Sequence, residues 1–163
     1  MPALLYSLDD AKAEAPMPEY PFNYLRDVNA EVLEPVLSDE ARVFWFKLVY
    51  GEMIDNAHEN SPKEEWLSEV ALDEDRGVVR VLNVVDGEAC EYLPEIHIVP
   101  RDPEAVPNCD DGLEVIEKLN EQGCEDGRGL YLIARACIEN GFGYDGEPVG
   151  DLYEARLTIP REK

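Results

Sequence analysis

Glu52, Asn56 and Asn60 recur every fourth residue in the run Gly51-Glu52-Met53-Ile54-Asp55-Asn56-Ala57-His58-Glu59-Asn60. That spacing sets them along one face of a helix. A carboxylate and an amide carbonyl one turn apart are oxygen donors suited to a hard cation, and the carboxylate is free to polarise a water or a hydroxyl. The solvated face of an amphipathic helix looks the same, so residue types alone leave both readings open. A second run, Gly123-Cys124-Glu125-Asp126-Gly127-Arg128-Gly129-Leu130-Tyr131-Leu132-Ile133, leads a glycine loop straight into an apolar helical pattern. Amides at a helix N-terminus bind anions, and glycine lets the anion come close, although two glycines also serve loop geometry by itself.

Other reactive side chains are sparse. His58 lies near the first run but off its polar face, which marks it as structural or solvent-exposed. Cys90, Cys109, Cys124 and Cys137 are spaced 19, 15 and 13 apart, with neither a C-x-x-C pair nor zinc-ligand spacing, and read as free thiols.

The elements that must position these groups follow from periodicity. Ser38 reads as an N-cap, Asp39 and Glu40 favour the positive end of a helix dipole, and apolar residues recur at Val43, Phe46, Tyr50, Met53, Ile54 and Ala57. A long amphipathic helix over 39–59 is predicted. Ser61-Pro62-Lys63-Glu64 has the form of a capping box, which predicts a short helix through Trp66, Leu67, Val70 and Ala71, with a strand over 66–72 as the competing reading. Valine-rich 77–85 ends at Asp86-Gly87 and apolar residues resume over 93–99, the pattern of a hairpin. A loop over 100–108, a helix over 111–120, a glycine loop over 123–129, a helix over 130–140 stopped by Gly141, and a strand over 152–159 complete the body. Five prolines punctuate the first 36 residues, where a short helix over 4–15 and a strand near 20–24 are expected.

The chain has 163 residues, a formal charge of −23 and 45% apolar residues, which is enough to bury a core while the acid excess stays on the surface. Its 14 basic residues form no stripe, so nucleic acid is an unfavourable partner. The longest apolar runs are broken by Lys47 and Arg135, which predicts a soluble, cytoplasmic protein and no membrane partner. The acidity suits a high-salt cytoplasm or a basic protein partner.

The order of an acidic E-x-x-x-N helix, a hairpin, Gly127-Arg128-Gly129-Leu130-Tyr131-Leu132-Ile133 leading a helix, and a terminal strand resembles the GHKL ATPase superfamily. Within it, the chain is most similar to the anti-sigma-factor serine kinases, over roughly Ser38 to Pro160. The resemblance implies a Bergerat-type α/β two-layer sandwich, a mixed, mostly antiparallel sheet with helices on one face. Residues 37–163 would be the histidine-kinase-like ATP-binding domain and residues 1–36 an N-terminal approach segment. It implies ATP and Mg2+ as ligands, Glu52 as general base, Asn56 as the magnesium-side ligand, and phosphates cradled by Gly127, Arg128, Gly129 and Leu130. Asn60 stands where the family often has a basic residue or His. The family's adenine-reading Asp matches either Asp86 or Asp102. Asp102 is preferred because the Asp86-Gly87 turn then keeps its local meaning and 103–126 becomes a lid; Pro103, Glu104 and Ala105 then stand at glycine positions.

The implied function is an ATP/ADP-binding regulator of the anti-sigma, serine-kinase type, with a sigma factor or antagonist-like protein as partner and a homodimer among its assemblies. The alternative is a nucleotide-independent acidic binding module on the same fold. An ATPase or sensor-kinase catalytic fragment is a third reading, but no phosphoacceptor-histidine helix pair precedes Ser38 in this sequence.

Overall fold

The computed structural model describes residues 4–17, 19–61, 65–84, 96–98 and 128–161. In chain order these form β1 (Leu4–Ser7), α1 (Leu8–Glu14), α2 (Pro21–Val32), α3 (Glu34–Leu37), α4 (Glu40–Asn60), β2 (Trp66–Leu72), β3 (Arg76–Val84), β4 (Ile96–Ile98), α5 (Arg128–Asn140), β5 (Gly143–Val149) and β6 (Leu152–Pro160). The strands make one open sheet in the order β1-β2-β3-β6-β5-β4. Every pair is antiparallel, so the expected mixed sheet is a wholly antiparallel one among the described residues.

Alternation along the strands creates the two layers. Trp66, Val70 and Leu72 of β2, Val79 and Val81 of β3, and Ala155, Leu157 and Ile159 of β6 are buried, while the intervening side chains are only half-buried or exposed. The buried face is covered by α4, whose Phe46, Val49, Tyr50, Met53, Ile54 and Ala57 join the same core. Each fully buried large side chain contributes on the order of 1.5–3 kcal/mol, and the helix cannot leave the sheet without exposing several. At Gly77 a Cβ would lie 2.4 Å from Leu33 Cδ2, so β3 passes the chain ahead of α3 too closely for any side chain.

The long helix, the valine-rich strand, the helix over 130–140 and the terminal strand match expectation to within two residues at each end. Gly141 does stop α5, at φ +70°, a conformation that costs glycine little. Four local readings are corrected. Asp39, not Ser38, caps α4: its carboxylate accepts from Arg42 N at 2.8 Å, while Ser38 sits at φ +65° behind α3. Residues 66–72 form a strand, because β1 and β3 pair with both edges of the segment, an arrangement its own sequence does not record. The helix expected over 4–15 begins only at Leu8, after four residues taken by β1, and Ser7 and Asp10 make the capping box at that junction. Residues 20–24 open α2 instead of forming a strand, with Pro21 in its first turn. The hairpin expected between 77–85 and 93–99 is corrected too: Ile96–Ile98 pairs with β5 at the far edge of the sheet, while β3 lies between β2 and β6. The Asp86-Gly87 turn, the helix over 111–120 and the loops over 100–108 and 123–127 lie outside the described residues.

Candidate functional site

Helix α4 carries a different chemistry on each flank. Toward α2, Gly51 lies directly beneath the Arg26 guanidinium, where a Cβ would come within 2.6 Å of Nη2. One turn on, Asp55 is half-buried; burial pushes its carboxyl above the ordinary carboxylate range, opposed by the positive field of Arg26 and by His58. His58 completes this flank. Its Nδ1 accepts a hydrogen bond from Trp66 Nε1 at 3.3 Å, and its ring meets Phe22 edge-on at 5.3 Å. These contacts give His58 a packing role, the structural half of the expectation for it.

The opposite flank carries the predicted site. Residues 42, 49 and 56 are seven apart and share one longitudinal stripe. Arg42, the first of them, is 3% exposed and pins three chain ends together. Its Nη1 donates to the carbonyl of Asn140, and its Nη2 donates at 3.2 Å to the carbonyls of Val36 and Pro160. The guanidinium lies 5.0 Å over the Phe142 ring. The C-terminus of α5 is thereby fixed beside the N-terminus of α4, and the two helices pack against each other. At 1.5 Å per residue, Asn56 lies ~21 Å along α4 from Arg42, and Arg128 ~18 Å along α5 from Asn140. Asn56 shares the Arg42 stripe, and Glu52 lies about 40° further round the helix.

Both predicted side chains are half-buried. Glu52 also borders a groove of about 510 Å³ between α2 and α4, shared with Asn23, Arg26, Phe44 and Lys47, where Lys47 pairs with Asp27 at 3.0 Å. Arg128, Gly129 and Leu130 are the first three residues of α5, and Asn60 is the last of α4. Gly127, Asp86, Asp102 and the 103–126 segment lie outside the described residues. The structure sets Glu52 and Asn56 on α4 and Arg128, Gly129 and Leu130 at the start of α5, two helices that pack against each other, and leaves both aspartate alternatives without a position. Sequence reasoning missed Arg42, Arg26 and Asp55. Arg42 was detectable only as a cation three residues after the cap, on the edge of the apolar face.

Among the described residues no group of three or more His, Cys, Asp or Glu could enclose a metal ion. A magnesium ion carried in on phosphates needs no such cage, since it is ordinarily held by one or two protein oxygens plus phosphates and waters. Glu52 and Asn56, one turn apart on α4, offer oxygens of that kind. Cys137, the described cysteine, is a buried free thiol whose pKa burial pushes up to about 12. No described helix is long and apolar enough to cross a membrane.

No protein-family model matches this chain, and no curated protein sequence matches it. Among solved structures, the chain is similar to one in the crystal structure of the SiaB-SiaC complex from Pseudomonas aeruginosa. The likeness has a TM-score of 0.53 at 17% identity and covers 96% of this chain and 89% of that one. What the two share is the fold.

Proposed function

We propose that a chain with this fold, shared with a member of a two-protein complex, is an ATP-binding regulatory protein of the anti-sigma, serine-kinase type. The observation that carries the reading is that Glu52 and Asn56 stand one turn apart on α4, a helix against which α5 packs with Gly129 in its first turn. A helix N-terminus offers amides and a positive dipole to phosphates, and glycine at 127 and 129 leaves room for them. Asn56 would hold the magnesium side of the load and Glu52 would accept the proton of a partner's serine hydroxyl. Magnesium, when bound, supplies charge neutralisation between phosphate oxygens. Arg128 adds positive charge at the entrance to α5 in a chain that has little of it.

The second reading is a nucleotide-independent binding module. Pro103, Glu104 and Ala105 favour it, since they follow Asp102 where a base-binding box has glycines. Calorimetric titration with ADP and a non-hydrolysable ATP analogue, with and without magnesium, separates the two. Magnesium-dependent micromolar binding supports the nucleotide reading; no binding at millimolar nucleotide selects the module. With the site working, Glu52→Gln abolishes phosphoryl transfer and keeps nucleotide binding, while Asn56→Ala removes the magnesium dependence. Asp102→Asn and Asp86→Asn then identify the adenine-reading residue, only one of them weakening binding, by ~1.5–3 kcal/mol.

A further inference from the structure

Among the described residues, the sheet face turned away from α4 divides into two zones. Across its middle, the cross-strand neighbours Glu69, Arg80, Arg156 and Asp145 form a charged row. Arg80 Nε bonds Glu154 at 2.7 Å, and Arg156 pairs with Asp145 at 3.6 Å. Beyond this row the chemistry changes. Leu67 is registered against Leu82, Val84 against Leu152, and Leu152 against Val149. Leu67, Val84 and Val149 are 41%, 36% and 47% exposed, and Leu5, on the same face of the edge strand, is 56% exposed at the end of the charged row, registered against Glu69. A solvated antiparallel face ordinarily carries polar residues at such positions, and a contiguous apolar patch with a polar rim marks an interaction surface. With the start of α1, Leu67 and Val84 line a groove of about 530 Å³ together with Leu8, Leu82 and Leu152, and its charged lining residues are Asp9, Glu65 and Lys12.

We infer that this groove docks a basic amphipathic segment of a partner protein. The floor takes the segment's apolar side chains, while Asp9, Glu65 and the field of a chain with charge −23 take its cations. Charge selects this occupant over the others. A second copy would bring another −23 and the same acidic flanks, and an anionic lipid surface or nucleic acid would be repelled. The inference deepens the regulatory reading by giving its partner's chemistry, and it places no demand on the nucleotide site. Nucleotide titration of the same variants therefore distinguishes failure of one from failure of the other.

The test uses the full chain and a fluorescent helical peptide of leucine and lysine, with a leucine–glutamate peptide as counterpart, read by anisotropy at about 0.15 M salt. The lysine peptide binds saturably and perturbs the emission of Trp66, which lines the groove. Affinity falls at least about tenfold in Leu67→Ser/Val84→Ser and again in Asp9→Lys/Glu65→Lys, and is unchanged in Met17→Ser, an exposed position outside the groove. Unchanged affinity in both double variants overturns the inference, as does equal binding of the glutamate peptide. A dimer in sedimentation that Leu67→Ser/Val84→Ser dissolves also overturns it, assigning the patch to self-association. Thermal melts of each variant separate loss of binding from loss of fold.

Discussion

Replacing Arg42 by methionine removes the guanidinium while keeping an apolar stem of similar length, and tests what holds α5 in place. Three charge-assisted hydrogen bonds, to Val36, Asn140 and Pro160, are lost at once. At ~1.5–3 kcal/mol each, the gross loss is ~5–9 kcal/mol. Against it stands relief from keeping a cation buried, an effective several kcal/mol, so the net cost is about 2–4 kcal/mol. With a urea m-value of ~1–3 kcal/mol/M, the midpoint falls by roughly 1–2 M at unchanged m. Arg42→Lys falls between, since one ammonium keeps the charge but cannot span three carbonyls set around a planar fork. Amide exchange adds a local reading: the last turn of α5 and the end of β6 lose protection before the β2–β3 pair does. A midpoint shift below about 0.3 M for Arg42→Met, with exchange unchanged, would refute the claim that this side chain sets the register of α5 on α4.

Other perturbations test separate parts of the structure. Gly77→Ala forces a methyl against buried Leu33 and destabilises by about 1–3 kcal/mol in chemical denaturation, despite alanine's lower backbone entropy cost. Asp55→Asn acts through pH. The folded-state carboxyl titrates above its ordinary 3.8, so the native protein holds this proton more tightly than the unfolded chain and stability falls as pH rises through that window. The variant is therefore more stable than the parent at pH 7, and the advantage disappears as pH drops to 3.8 and below in parallel melts. Raising salt from about 0.05 to 0.5 M increases the melting temperature of the parent protein, because screening relieves the self-repulsion of a net −23. A fall in melting temperature would show instead that ion pairs such as Arg80–Glu154 outweigh that repulsion.

Elements with one strong internal period were legible in the sequence. Phe46, Tyr50, Met53 and Ala57 announce α4 without outside help, and the strand over 77–85 carries its own valines. Segments decided by a distant partner were not. Trp66, Leu67, Val70 and Ala71 satisfy helical spacing, and only pairing with β1 and β3 makes 66–72 a strand. Leu4–Ser7 shows the same effect, since its strand exists through β2 alone. The site was legible as two separate runs, one around Glu52 and Asn56 and one around Gly127–Leu130. Arg42 ties the helices that carry them, and its residue type reads as surface until its carbonyl partners, two of them remote in sequence, are known.

The two central strands of the sheet, β3 and β6, are neighbours in space although residues 85–151 separate them in the chain. Joining them comes late in folding, since the entropy of closing so long a loop precedes any reward from pairing, and the protein should fold slowly for its size. Evolution sees the opposite side of the same arithmetic. Closure entropy grows only logarithmically, so doubling the length of a flexible insertion costs ~0.6 kcal/mol. Both the Asp86 and Asp102 alternatives and residues 127–129 fall inside that interval. Lineages can therefore lengthen, shorten or rewrite the stretch that would meet a ligand while the β3–β6 register keeps the scaffold unchanged.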